Sequence, residues 1–445
     1  VLLILISGVS FGQQRRILTL EETIQLAKES SRSAKRAETQ RTLGYWNYRV
    51  YRAQLKPQLL LRGTLPDFVD RATPVTQNDG TVQFRTINQN TSDLSLGFEQ
   101  VLPWTNTTVS LDTRLQRFDN FDADFTVYQG DPIGLSITQP LFAVNPFRWD
   151  NQTQPLEYEQ SKRRYVQDME ETSRTAARLF FQVLVEQKNL EIALQNEAAN
   201  DKVYRIEQGR YNLGTSTEDQ LLQTELNLLT AESDAQQARL DLQTRSLELR
   251  NFIGLTENVE LDLIEPDDAP NFNIEFETAL RYAKENRAEF LDFQLDRLEA
   301  ERSVAEARAR RFNANLTASF GFNSAQTNSL SDVYDSDFNA AGSRVRLGFA
   351  IPLLDGGRNK ARMNQAKELQ RLTSFNIEQD QINFEQEISN AVRNFQQILG
   401  QIEISEKRQE VALKSFEITN GRYLADMVGI LDLNNARQTK DAAIR

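Results

Sequence analysis

The chain has 445 residues, a net charge of −12 at pH 7 and a mean hydropathy of −0.54. It contains no Cys and no His, so we expect no disulfide, no lipid-anchoring Cys, no catalytic site, no cofactor and no metal site. An acidic chain without basic clusters also argues against nucleic-acid binding, because phosphates require Lys and Arg.

The N-terminal segment is apolar over 1–6 and then consists of small and polar residues up to Gly12. Ser10 and Gly12 fit the −3 and −1 positions of a secretory cleavage site, so we predict that 1–12 is a residual signal peptide. The alternative is a buried N-terminal strand. No later stretch is apolar over the ~20 residues of a membrane helix, so a membrane span of this exported chain would have to be a β-barrel.

A helix is predicted over about 20–55, and strands follow between 57 and 141. Apolar and polar residues alternate along three stretches of that region, namely 94–99, 109–116 and 133–138. Alternation with charges on the second face is typical of transmembrane barrel strands, although an amphipathic sheet on a soluble core shows it too. The polar loops between the strands favour the membrane sheet.

Two helices are predicted next, over about 148–212 and 218–252. No proline occurs between 156 and 265, and proline costs ~3 kcal/mol inside a helix, so both helices are predicted to be continuous from 156 onward, with a kink expected only at Pro155 near the start of the first. In the second helix, apolar residues recur every seven residues from Leu221 to Leu249, and further leucines widen the apolar arc. This pattern predicts a helix that contacts neighbours on both sides, with an ordinary antiparallel bundle as the alternative.

A second copy of this plan follows the turn-rich segment 265–270. Its predicted elements are a helix over 276–311, strands over 313–352, a long helix over 357–424 and a last helix. By comparison with the first copy, that last helix would continue to about residue 464, so we expect the sequence given to stop inside it.

Short matches support the duplication. The tripeptide Gly-Arg-Tyr at 209–211 recurs at 421–423, an offset of 212, and Ala-Lys-Glu at 27–29 recurs at 283–285, an offset of 256. The difference predicts 44 extra residues in the first copy, and a hairpin near 103–105. We predict two repeats, 13–273 with four strands and 274–445 with two. So few strands cannot close a barrel in lipid, so several subunits must pool theirs.

The chain resembles the TolC family of outer-membrane efflux proteins over nearly its whole length. The similarity is carried by the Pro-Leu steps from strand to long helix at 140–142 and 352–357, by 251–255, and by the helical tips at 211–215 and 423–432. The resemblance implies an α+β membrane protein in which long helical hairpins form a periplasmic tunnel. A homotrimer would pool the strands into one barrel in the outer membrane of a Gram-negative bacterium.

The resemblance also implies roles at the two tips. They would dock a periplasmic adaptor (membrane fusion) protein through the following residues: Tyr211, Gly214, Thr215, Tyr423, Asp426 and Gly429. Asp432 matches a ring of acids at the constricted inner mouth, Asn435 stands where a second acid is common, and Asp219 lies nearby in the first copy. Such a ring favours cations. Each of these residues could equally be an ordinary turn or helix residue.

The local chemistry of the first tip is predictable without the family. Gly214 is expected to adopt the left-handed conformation that ends a helix, and Ser216 or Thr217 is expected to cap the next one.

Taken together, these features predict a passive conduit of a tripartite efflux or type I secretion system, powered by an inner-membrane pump. The alternative is a non-membrane periplasmic coiled-coil scaffold or adaptor protein. The exported substrate is not predicted. The trimer would have 12 strands if the extra hairpin stays outside the barrel, or 18 if it joins.

Overall fold

The computed structural model describes residues 15–255, 259–266, 272–324, 326–335, 341–425 and 427–445. The predicted signal segment 1–12 and residues 267–270 of the predicted joining segment lie outside the described residues.

The described part of the chain up to Phe252 contains five strands and four helices. In chain order they are β1 (Arg15–Leu18), α1 (Leu20–Ser30), α2 (Arg32–Gln54), β2 (Gln58–Thr76), β3 (Val82–Leu102), β4 (Thr107–Asn120), β5 (Phe125–Leu141), α3 (Pro146–Asn212) and α4 (Glu218–Phe252).

The rest of the chain repeats this order with fewer strands. Its elements are β6 (Glu260–Leu263), α5 (Phe276–Asn286), α6 (Glu289–Ala309), β7 (Asn313–Phe322), α7 (Asp332–Asp335), β8 (Ala341–Ala350), α8 (Arg358–Leu424) and α9 (Ile430–Ile444).

The duplication is visible in the bounds of these elements. Helices α3 and α8 both have 67 residues, and both their ends differ by 212 positions. Helices α1 and α5 differ by 256 positions at both ends. The two repeats are therefore confirmed. Among the described residues, no helix combines the length and the apolarity that crossing a membrane requires.

Each of the two predicted shorter helices, 20–55 and 276–311, is divided in the structure. The first breaks at Ser31, which has an extended backbone (ψ 150°) and accepts a hydrogen bond from the Ala34 N–H at 3.1 Å. A serine that ends one helix and caps the next explains the break. The second breaks at Arg287, whose backbone is also extended (ψ 146°).

The chain forms two compact units. The first comprises the described parts of 1–42, 162–288 and 382–445. Strands β1 and β6 pair in parallel there, and Leu18, Leu261 and Leu263 from them pack on a core that α3 and α4 complete. The fully buried members of that core on α3, on α4 and just after α4 are Ala176, Phe180, Val183, Leu249 and Ile253.

The second unit comprises 43–161 and the described parts of 289–381. It contains one antiparallel sheet of six strands in the order β2-β3-β4-β5-β7-β8. Paired residues of an antiparallel sheet lie on the same face. One face, here called the apolar face, carries Leu59, Leu61, Leu94, Leu96, Phe98, Leu111, Leu135, Ile137, Phe320, Val345, Leu347 and Phe349. The other, the polar face, carries Arg62, Ser95, Glu99, Ser110, Asp112, Ser136, Ser319, Arg344 and Arg346.

Asp355 shapes the entry into α8. Its carboxylate accepts the Asn359 N–H and the Gly357 N–H, each at 2.9 Å. The two glycines before α8, Gly356 and Gly357, have φ of +62° and +84°. The backbone hydrogen bonds from Asn359 and Gly357 lower the pKa of Asp355, because they favour its ionised form.

Acid is therefore expected to loosen the first turn of α8. A carboxylate whose pKa is lowered by folding contributes stability above its unfolded pKa of about 3.9, and that contribution is lost as the pH falls through the folded value. Hydrogen-exchange protection of the Gly357 and Asn359 amides should fall between pH 5 and pH 2, after correction for intrinsic exchange. In Asp355→Asn this acid-dependent loss should be absent, and an unchanged loss would contradict the assignment.

Candidate functional site

The tip between α3 and α4 closes with a defined hydrogen-bond pattern. The Gly214 N–H donates to the Tyr211 carbonyl and the Thr215 N–H to the Arg210 carbonyl, both at 2.9 Å. This is the Schellman arrangement, in which the first of the two donor residues, here Gly214, must adopt the left-handed conformation. Gly214 has φ +74°, as predicted, and a Cβ there would meet nothing within 4 Å. The backbone angle alone therefore calls for glycine.

Thr217, not Ser216, caps α4. The Gln220 N–H donates to Thr217 Oγ1 at 3.3 Å, and the Thr217 N–H donates to Gln220 Oε1 at 3.2 Å. Ser216 instead donates its hydroxyl to the buried carboxylate of Glu207. The sequence alone allowed either Ser216 or Thr217 as the cap. Thr217 is one residue closer to the helix, and its side chain reaches the helix amides.

The tip between α8 and α9 repeats this arrangement 212 positions later. The Met427 N–H donates to the Arg422 carbonyl at 2.9 Å, as Thr215 does to Arg210. The Gly429 N–H donates to Asp432 Oδ2 at 3.3 Å, as Thr217 does to Gln220. Gly429 has φ −83°, so its conformation does not require glycine. Asp426 lies outside the described residues.

The two tips differ most at equivalent tyrosines. Tyr211 is 40% exposed, whereas Tyr423 is 8% exposed. Tyr423 lines a cleft of about 300 Å³ together with Thr215 and Gly429, so three of the predicted tip residues come together. Tyr211 and Gly214 lie outside that cleft lining. The remaining lining residues are Glu207, Arg210, Gln220, Thr224, Val428 and Ile430.

The predicted constriction residues lie at helix starts and are exposed. Asp219 is in the first turn of α4 and Asp432 in the first turn of α9, where a negative charge is favourable next to the helix N-terminus. Asn435 lies one turn further along α9, and its carbonyl accepts the Thr439 hydroxyl at 2.8 Å. Asp432 thus has a role in its own helix besides any role in a pore.

Sequence reasoning missed a buried polar contact between α9 and α3. Arg437 donates to Asn200 Oδ1 and Asn196 donates to Asp441 Oδ2, each at 2.7 Å. Arg437 and Asp441 are both 8% exposed. Burial lowers the pKa of Arg437, and the nearby Asp441 carboxylate acts in the opposite direction. The sequence offered only the positions of these residues as a sign of burial. Residues 433, 437, 440 and 441 share one helical face, but only Leu433 among them is apolar.

The chain is similar to known proteins in sequence family and in fold. The model of the outer membrane efflux protein family matches residues 89–255 and 279–444. A search of curated proteins gives no match. Among solved structures, the Campylobacter jejuni CmeC outer membrane channel is similar at a TM-score of 0.67 and 15% identity, over 95% of this chain and 80% of that one.

Two further structures show the same fold. The outer membrane protein VceC of Vibrio cholerae aligns at a TM-score of 0.63 and 15% identity, over 95% of this chain and 90% of that one. The open state of the Neisseria gonorrhoeae MtrE outer membrane channel aligns at 0.55 and 17% identity, over 96% and 84%.

Proposed function

The chain belongs to the outer membrane efflux protein family, and from this premise we propose that three copies form one channel whose periplasmic mouth consists of the α3–α4 and α8–α9 tips. As a member of that family it is an outer-membrane channel subunit. One observation carries the proposal. The chain contains both a sheet with one apolar face and two helical hairpins, and the tips of the two hairpins share one hydrogen-bond pattern. The sheet suits lipid, and the polar helices suit water.

The exposed tip residues support docking of a periplasmic adaptor. Tyr211, Gly214 and Thr215 are exposed in the first tip, and Gly429 is exposed in the second. Exposed aromatic side chains beside rigid turns are common anchors in protein interfaces. Tyr423 is buried, so its part would be to hold the second tip in place. An inner-membrane pump, reached through the adaptor, would supply the energy.

The acidic residues at the helix starts support a cation-favouring mouth. Asp432 is exposed and its helix is already capped by the contact with Gly429, so its carboxylate has a fixed position. Three copies of a fixed carboxylate around an axis would attract cations and repel anions. Asp219 would add to the same potential if it faces the axis, while Asn435 contributes no charge.

Removing the Asp432 charge is expected to lower cation selectivity. Asp432→Asn keeps an oxygen for the Gly429 N–H, so α9 should stay capped while the mouth loses its charge. A unit charge about 4 Å from an ion in water contributes ~1 kcal/mol, which corresponds to a change of roughly fivefold in the cation-to-anion permeability ratio. The measurement is the reversal potential under a salt gradient in planar bilayers.

Asn435→Asp serves as the matched opposite variant, because it adds a charge one turn away on the same helix. Its permeability ratio should rise. If neither variant changes the reversal potential, these residues do not line the constriction.

A further inference from the structure

The extra residues of the first repeat form a hairpin inside the sheet. Strands β3 and β4 occupy 82–102 and 107–120, between the match at 27–29, where the repeat offset is 256, and the match at 209–211, where it is 212. In the strand order they lie between β2 and β5. The part of the second repeat that the structure describes contributes only β7 and β8 to the same sheet. The insertion is therefore part of the sheet interior and not an appendage at its edge.

The hairpin is held on both sides. Strand β3 pairs with β2 from Glu99 to Val82, and β4 pairs with β5 from Thr108 to Asn120. Side chains on the polar face add to these ladders. Arg62 of β2 lies 3.3 Å from Glu99 of β3, and the hydroxyl oxygens of Ser110 and Ser136 lie 2.6 Å apart. Excising the hairpin would leave two long edges without hydrogen-bond partners.

The inserted strands continue the apolar face at the same level as their neighbours. Leu96 of β3 is opposite Leu61 of β2, and Leu111 of β4 is opposite Leu135 of β5. All four side chains are exposed in the single chain. A hairpin lying outside the membrane would have no reason to place leucines in line with the lipid-facing ones. The match indicates that the inserted strands face the same lipid.

The two edge strands of the described sheet, β2 and β8, have unpaired backbone groups that need hydrogen-bond partners in a membrane. Among the described residues, β2 has no strand beyond it and neither has β8. Both carry strongly exposed apolar side chains, for example Leu61 on β2 and Val345 and Phe349 on β8. Unpaired backbone groups in lipid cost several kcal/mol each. Since the sheet has an even number of antiparallel strands, β8 of one copy and β2 of the next run antiparallel and can pair.

We infer that the inserted hairpin is part of the barrel wall, that β8 of each copy pairs with β2 of a second copy, and that three copies build an 18-stranded barrel. The trimer in this inference rests on the function proposed above. Barrel diameter grows roughly linearly with strand number, so this barrel is about 1.5 times as wide as one with 12 strands. Barrels of about 16–18 strands enclose a water-filled channel.

Paired cysteines test whether the hairpin lies in the wall, since the chain has no Cys of its own. Leu61→Cys combined with Leu96→Cys joins neighbours in the six-stranded sheet and should form a disulfide. Leu61→Cys combined with Leu135→Cys should not. Those two positions are three strand spacings apart, ~14 Å, and a disulfide needs Cα atoms within about 7 Å. If the hairpin were outside the barrel, β2 would pair with β5, and the second pair would be the one to crosslink.

A second set of cysteine pairs tests the same point at other positions, in case the first variants do not assemble. Leu59→Cys combined with Phe98→Cys should crosslink, and Leu59→Cys combined with Ile137→Cys should not. Leu59 and Phe98 are paired in the register of β2 and β3.

The seam between copies is tested with Leu61→Cys combined in turn with Val345→Cys, Leu347→Cys or Phe349→Cys. Oxidation in membranes should link copies for at least one of the three, with covalent products that end at three chains. Leu61→Cys with Leu111→Cys is the control, because Leu111 lies on an interior strand, and it should stay a single chain.

The crosslinking results distinguish the strand count, the number of copies and the channel function from one another. A Leu61–Leu135 disulfide in protein that still conducts ions would overturn the six-stranded contribution and leave the channel intact. Products that end at two chains would give a 12-stranded dimer and overturn the strand count. Complete crosslinking to three chains without any conductance would uphold the barrel and contradict the proposed channel.

Discussion

Phe180→Ala is expected to destabilise the protein by about 3–5 kcal/mol, the range for deleting a large aromatic side chain from a packed core. Phe180 has no exposed surface and packs with Val183 of its own helix and with Leu249 and Ile253 at the end of α4. The measurement is guanidinium unfolding in detergent followed by far-UV circular dichroism, with the midpoints compared at equal protein concentration.

Phe181→Ala is the matched control, because the neighbouring ring is 44% exposed in the single chain. It removes the same atoms from the same helix turn and is expected to cost about 1 kcal/mol or less if that face stays open in the assembly. Equal shifts for the two variants would show that Phe180 does not lie in the core that joins α3, α4, β1 and β6.

Leu135→Arg is expected to prevent assembly in the membrane. Leu135 lies at the middle of the apolar face of β5, between Leu111 of β4 and Phe320 of β7. An arginine on the lipid face of a barrel near the bilayer midplane costs about 2–4 kcal/mol. The trimer yield in purified outer membranes should fall strongly, measured on gels without heating.

Ser136→Arg places the same charge one residue further along the strand, on the polar face. It loses the contact with the Ser110 hydroxyl, which contributes about 1 kcal/mol, but the guanidinium points away from lipid. Assembly should be nearly normal. If Ser136→Arg lowered the trimer yield more than Leu135→Arg, the polar face would be the one that meets the lipid.

The long helices were predictable because their signal is distributed over many residues. The long proline-free stretches after Pro155 and after Pro352 supported the predicted helices over 148–212 and 357–424, and α3 and α8 run over Pro146–Asn212 and Arg358–Leu424. The two repeat offsets predicted the extra hairpin near 103–105, and β3 and β4 meet at that place. The breaks at Ser31 and Arg287 were not predicted, because each depends on the extended backbone of one residue.

The short strands and the buried polar contacts could not be predicted from the sequence, for a different reason. Strands β1 and β6 have four residues each, and they pair across about 245 positions of sequence, so no local pattern identifies them. The contact of Arg437 with Asn200 is invisible to hydrophobic periodicity, because a buried face made of polar residues looks like a solvated one. At the tips, the turn chemistry of Gly214 followed from its own conformational freedom. The channel roles of the tip residues came only from the family resemblance.

The family assignment favours the channel over the alternative of a soluble coiled-coil scaffold. The sheet explains why: a scaffold in water would have no use for a face of exposed apolar side chains that continues across all six strands.

The measurement that tests the channel most directly is single-channel recording of the purified full-length protein in planar bilayers. We expect discrete conductance steps from a detergent-solubilised trimer, with cations more permeant than anions. A water-soluble monomer that produces no steps under any voltage would contradict the account.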